Sequence, residues 1–148
     1  MKLLVKFLSV FLLALMLTAC FSDDNTPEVV AEKFIKDAYS GDIEGTFDAL
    51  YVPYFHIPGA VYIPNELKTK GVDVNDLIKS KLKIAIDKAV ATTKENGGID
   101  RVELSNTEYN NDHTRANIKT TIIFKNGTDN KSDFSLIKVD GKWLINME

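Results

Sequence analysis

The chain uses three hydrophobic patterns in succession. Phe7 to Leu17 (FLSVFLLALML) is an almost unbroken apolar run. Further on, apolar residues recur at helical spacing. Beyond Arg101 they alternate with polar ones, the period of a half-buried strand. The first helix is expected from Pro27 to about Ser40. Val30, Phe34 and Ala38 make one i,i+4 row, and Ala31, Ile35 and Tyr39 the next, with Glu28, Glu32 and Lys36 opposite. Thr26 can cap it, Pro27 suits the first helical position, and Gly41 stops it. A shorter helix follows, capped by Asp42 or Ser40, with Ile43, Phe47 and Leu50 on one face and Gly45 weakening it.

Residues 51–72 break the pattern. Pro53, Pro58 and Pro64 alternate with Tyr51, Tyr54, Phe55 and Tyr62 and exclude a long helix. Val61-Tyr62-Ile63 is at most a short edge strand. The longest helix spans about Val74 to Glu95, with Val74, Leu77, Ile78, Leu82, Ala85, Ile86 and Ala89 at the 3.6 period and Asn96-Gly97-Gly98 closing it. Four strands come last. Arg101 to Tyr109 is the first. Ala116 to Phe124 is the second and alternates cleanly. Phe134 to Val139 is the third, and Lys142 to Met147, after an Asp140-Gly141 turn, is the fourth. Three N-terminal helices followed by an antiparallel four-stranded meander make an α+β domain.

The first apolar run belongs to no folded element. Lys2 and Lys6 precede it and Thr18-Ala19-Cys20 follows, the charged, apolar and small-residue layout of a signal peptide. The run is too short for the ~20 apolar residues of a spanning helix. Leu17-Thr18-Ala19-Cys20 resembles the lipobox of bacterial lipoproteins. The resemblance implies a diacylglyceryl group on the Cys20 sulfur and cleavage just before it. An ordinary signal peptide with a chance cysteine is the competing reading. Against it, Cys20 is the one cysteine of the chain and has no internal disulfide partner. The expected layout is therefore a leader over 1–19, a lipidated cysteine and tether over 20–25, and a domain over 26–148. Phe21, not Asp, follows the cysteine. In a Gram-negative cell that favours the outer membrane, on its periplasmic side or surface. In a Gram-positive cell the protein would sit on the outer face of the cell membrane.

Loss of Lys2 and Lys6 with the leader leaves 16 basic side chains against 21 acidic ones, a formal charge of −5. A nucleic-acid partner, which needs a basic stripe, is not expected. Attraction to anionic headgroups is not expected either, so the membrane link rests on the lipid. Phe21 to Asn25 is a short tether with a reach of at most about 16–18 Å.

Two segments carry a wider resemblance. Thr26-Pro27-Glu28-Val29-Val30 with Phe34-Ile35 and Tyr39-Ser40-Gly41-Asp42 resembles the first helix of nuclear transport factor 2-like, cystatin-like domains. Val139-Asp140-Gly141-Lys142-Trp143-Leu144-Ile145 resembles their closing hairpin. Together they look like a bacterial lipoprotein family of unknown function, related to lumazine-binding-like domains. The resemblance implies a curved sheet wrapped around a long helix, a cone that often holds a pocket.

Chemistry-bearing motifs are scarce. One cysteine and two histidines, His56 and His113, make no Cys/His zinc set, and there is no phosphate loop. No metal or cofactor is expected. The acid–base candidates are Tyr39, Asp48, Tyr54 and His56, with His113 as a turn or strand-edge residue. Three readings stay open. The first is a non-catalytic interaction module on the membrane, meeting an envelope protein through the aromatic 51–64 segment or the sheet. The second is a cone for a small apolar ligand, lined by Tyr39, Phe47, Tyr54, Phe55, His56 and Tyr62. The third is an enzyme of the isomerase or dehydratase kind. The first is preferred, because no catalytic set is in view.

Overall fold

The computed structural model describes residues 25–52 and 73–147. The expectations for the leader, Cys20, Tyr54, Phe55, His56, Tyr62 and the short strand at 61–63 lie outside those residues.

Helix α1 is Pro27–Ser40. The Thr26 hydroxyl accepts from the Val29 N–H at 3.3 Å, and Gly41 ends the helix at φ 91°, a left-handed geometry that a Cβ disfavours. Helix α2 is Ile43–Asp48, capped by Asp42, whose carboxylate accepts from Gly45 N–H at 2.9 Å. Gly45 has a packing reason beyond propensity. A Cβ there would stand 2.7 Å from carboxylate oxygens of both Asp37 and Asp42, so glycine lets α2 fold tightly against the end of α1.

Helix α3 is Val74–Glu95, with its N-cap at Asp73 and its C-cap at Asn96. Its buried stripe is Ile78, Leu82 and Ile86, continued by half-buried Val90, which is narrower than the periodicity suggests. Ala85 is exposed, contrary to expectation. The reason is that α3 lies chiefly on α1 and α2 and not flat on the sheet. A helix resting on two others needs one i,i+4 row, and the adjacent row is left to water.

The sheet is antiparallel, with β1 (Ile99–Leu104), β2 (Glu108–Tyr109), β3 (Arg115–Phe124), β4 (Asp129–Val139) and β5 (Lys142–Asn146). Its order is β1-β3-β4-β5, and β2 also pairs with β3. Two strand boundaries differ from the sequence reading. The expected first strand, 101–109, is interrupted at 105–107, leaving β1 and the two-residue β2 on the same partner. β4 starts five residues before Phe134. Its polar opening, Asp129-Asn130-Lys131-Ser132, has no apolar alternation, yet it pairs in register with Thr120 to Ile123 of β3. Pairing with a partner strand satisfies the backbone whatever the side chains are. The polar groups are satisfied too. Thr120 donates its hydroxyl to the Ser132 carbonyl at 3.0 Å, and Asn130 donates its amide to the Tyr39 hydroxyl at 2.9 Å.

The inner face of the sheet carries Ala116, Ile118, Ile122, Phe124, Leu136, Trp143 and Ile145, all buried. Ala31, Phe34 and Ile35 of α1 cover it, with Phe34 edge-on to Phe134 at 5.5 Å. After α2 the chain runs parallel to β5. Ile145 N–H donates to the Ala49 carbonyl at 2.7 Å, and Tyr51 N–H donates to the Ile145 carbonyl at 2.8 Å. Among the described residues every buried side-chain polar atom has a partner.

Leu136 is fully buried at the centre of this layer, whereas Ile84 on α3 is 68% exposed. Leu136→Ala is expected to lower the stability of the domain by about 2–5 kcal/mol in urea unfolding. Ile84→Ala should change it by less than about 0.5 kcal/mol. Equal effects would contradict this packing.

Candidate functional site

The elements define two ends. β3 starts at one and finishes at the other; its ten residues span about 30 Å. The far end holds the 125–128 turn, the C-terminus of α3 and Tyr39. The near end holds the N-terminus of α1, β2, the 110–114 loop and the β4–β5 turn.

Tyr39 and Phe47, both expected to line a pocket, pack on different parts of the core. The Tyr39 ring lies 6.2 Å from Phe124, beside the cluster of Ile35, Ile122 and Phe124. Phe47 packs against the larger cluster, under the Lys79 ammonium, which stands 4.9 Å from its ring centre. Glu44 holds Lys79 at 2.8 Å, and that hydrogen bond, with help from Asp76 and Asp48, raises the lysine pKa. Asp48 is an exposed residue at the end of α2.

The described residues converge instead at the near end. An open depression of about 330 Å³ is lined by residues 25–27, Tyr109, His113, Lys138, Gly141 and Trp143. Each arrives for a local reason. The Asp140-Gly141 turn needs positive φ at both positions, 49° and 79°, and it delivers Trp143 to the inner face. The Asn110 carboxamide accepts from the Thr114 and Arg115 N–H groups at 3.0 and 2.8 Å. This closes the loop and leaves His113 at φ 55°. The His113 ring then lies 5.0 Å from Tyr109, which meets Trp143 edge-on at 5.9 Å. The Lys138 ammonium stands 5.7 Å from the Trp143 ring. Behind Tyr109, Thr107 donates its hydroxyl to Glu28 of α1. Burial, with the Glu28 charge second, pushes the Tyr109 phenol pKa up, so it stays a neutral donor and acceptor.

The depression offers an ammonium, an imidazole and a phenol around an aromatic floor. That set suits contact with polar or amphipathic groups. Among the described residues no three His, Cys, Asp or Glu side chains gather to hold a metal, and no helix is long and apolar enough to cross a membrane. A second open groove of about 540 Å³ lies over Ser105, Asn117, Lys119 and Asp133, and it mixes charges of both signs. The sequence reading passed over Asn25, Tyr109, Lys138 and Trp143. The one available signal was the pair of turn motifs, Asn110-Asn111-Asp112 and Asp140-Gly141, which bring aromatics to one edge.

The 110–114 loop has a pH signature. Asp112 accepts from the Thr114 hydroxyl and N–H, at 2.5 and 3.2 Å, and these bonds hold its pKa below the usual carboxylate value. Whatever the carboxylate contributes to loop order is present above the unfolded pKa and is lost as pH falls through the depressed one. The Thr114 amide resonance should therefore titrate with a midpoint below the ordinary carboxylate range. A midpoint within that range would contradict the bonding.

Comparison with known proteins gives the context. The fold is similar to the crystal structure of a provisionally named NTF2-like transpeptidase from Campylobacter jejuni. The two are 25% identical over 83% of this chain and 99% of that one, with a TM-score of 0.64. A comparison with curated proteins gives no match. Residues 18–146 match the family described as "Domain of unknown function (DUF4878)". The three helices and antiparallel sheet are those of an NTF2-like α+β cone, and the chain belongs to that family of unknown function.

Proposed function

We propose that the protein is a lipid-anchored, non-catalytic interaction module of the bacterial envelope. The observation that carries this reading is Leu17-Thr18-Ala19-Cys20, placed directly after a short apolar run with a basic start. Two or more acyl chains, at about 0.8 kcal/mol per buried CH₂, suffice for stable anchoring. Several polar groups among the described residues serve the fold. Buried Thr46 and Thr120 donate to backbone carbonyls, and the Asp42 carboxylate caps a helix. The partner is an envelope protein met through the aromatic 51–64 segment, with Tyr54 and Phe55 as its contacts.

A second reading, acyl transfer, comes from the name of the Campylobacter neighbour. Such chemistry needs a nucleophile beside a base. Thr107 on Glu28 has the right chemical types.

The two readings separate in one set of experiments. Cys20→Ala should abolish metabolic palmitate labelling and leave an uncleaved or soluble protein. Crosslinking in intact cells should trap a discrete adduct that is lost in Tyr54→Ala/Phe55→Ala. Labelling that survives Cys20→Ala, or an adduct indifferent to the aromatic pair, would contradict the proposal. Transfer of an acyl group between peptides that disappears in Thr107→Val would replace it with the second reading.

A further inference from the structure

The side chain of Asn25 fixes where the chain leaves the domain. Its amide donates to the Gly141 carbonyl at 2.8 Å, and its carbonyl oxygen accepts from the Trp143 N–H at 3.1 Å. One residue thus pins the start of the domain to the β4–β5 turn. Cys20 is five residues earlier, so the two lie within about 16–18 Å even with the chain fully extended. The domain is about 30 Å long between its near and far ends. A cysteine whose lipid is in a bilayer lies at the bilayer surface. With the far end on that surface, Asn25 would stand beyond the reach of the tether.

The near end also has the side chains that settle at headgroup depth. Four large hydrophobic side chains are exposed among the described residues, and two of them, Val29 at 39% and Tyr109 at 43%, are here. Tyr109, Trp143 and His113 form one aromatic group with Lys138 over it. Rings with a polar edge and lysines with a long apolar stem are the types enriched at membrane–water interfaces.

We propose that the near end, with Asn25, Tyr109 and the Asp140-Gly141 turn, is seated on the headgroup layer of the bilayer that holds the Cys20 lipid. This rests on the anchoring reading above. Charge does not drive the seating. Lys138, Lys142 and Arg115 are offset by Glu28, Glu108, Asp112 and Asp140 in the same region, so added salt should not lift the domain off. The depression beside Tyr109 closes against the headgroups, and the far end points away from the membrane.

The test uses the full-length lipidated protein in vesicles of phosphatidylethanolamine and phosphatidylglycerol that carry a nitroxide-headgroup lipid. Cys20 is consumed by its thioether, so one added cysteine takes one fluorophore. Asn111→Cys places it in the near loop and Lys125→Cys in the far turn, both at exposed positions. Quenching should be several-fold stronger at 111 than at 125, and the contrast should persist at high salt. Asn25→Ala, which removes the pin and lengthens the free tether, should cut that contrast by half or more. Equal or reversed quenching in a protein that labels with palmitate would overturn the orientation alone. A contrast unchanged by Asn25→Ala would overturn the role of the pin. A chain that takes up no palmitate would overturn the anchoring reading and this one together.

Discussion

The β3–β4 ladder is the constraint on which the rest of the molecule depends. It pairs nine residues of each strand, Arg115 to Ile123 against Asp129 to Ile137. Its alternation sends Ala116, Ile118, Ile122 and Leu136 to one side. A one-residue slip would turn those side chains to water, so burial fixes the register. β1 and β2 hang on the free side of β3, and β5 on the free side of β4. The exposed inner face then needs a cover, and the apolar stripe of α1 supplies it. α2 and α3 pack in turn on α1. The fold is thus a hierarchy in which each layer buries the apolar surface that the previous one leaves open.

The same hierarchy gives the molecule a direction. Because β3 and β4 are the longest strands, their ends define the two ends of the described residues. The far end is closed by hydrogen bonds among Asn96, Asn126 and Thr128 and by the bond from Asn130 to Tyr39. The near end is where the chain enters, pinned by Asn25, and where Tyr109, His113 and Trp143 meet. On the proposed reading, an anchor at residue 20 and the aromatic surface at the point of entry are parts of one arrangement: the anchor would bring that surface to the membrane and the pin at Asn25 would keep it there.

Much of the fold is legible in the sequence, because local signals and tertiary demands agree. Thr26, Pro27 and Gly41 mark the ends of α1, Asp140-Gly141 marks a hairpin, and the α+β order follows from the change of period. The failures come where tertiary structure overrides local pattern. Asp129 to Ser132 reads as loop, and the ladder makes it strand. Ala85 reads as core, but α3 rests on two helices and has no use for a second row. The candidate site was hardest to see. Asn25, Tyr109, Lys138 and Trp143 are far apart in the chain, and each has an ordinary local explanation. The β2–β3, β3–β4 and β4–β5 pairings, with the two hydrogen bonds of Asn25, bring them to one end. Tyr39 and Phe47, both named for the lining of one cone, pack against separate clusters.

Both the anchor and the orientation come down to the covalent state of one residue. The direct measurement is the mass of the N-terminal peptide of the protein isolated from cell membranes. The account predicts a chain that begins at Cys20 and carries a thioether-linked diacylglyceryl group. A chain that retains Met1, or one that begins with an unmodified Cys20, would contradict it.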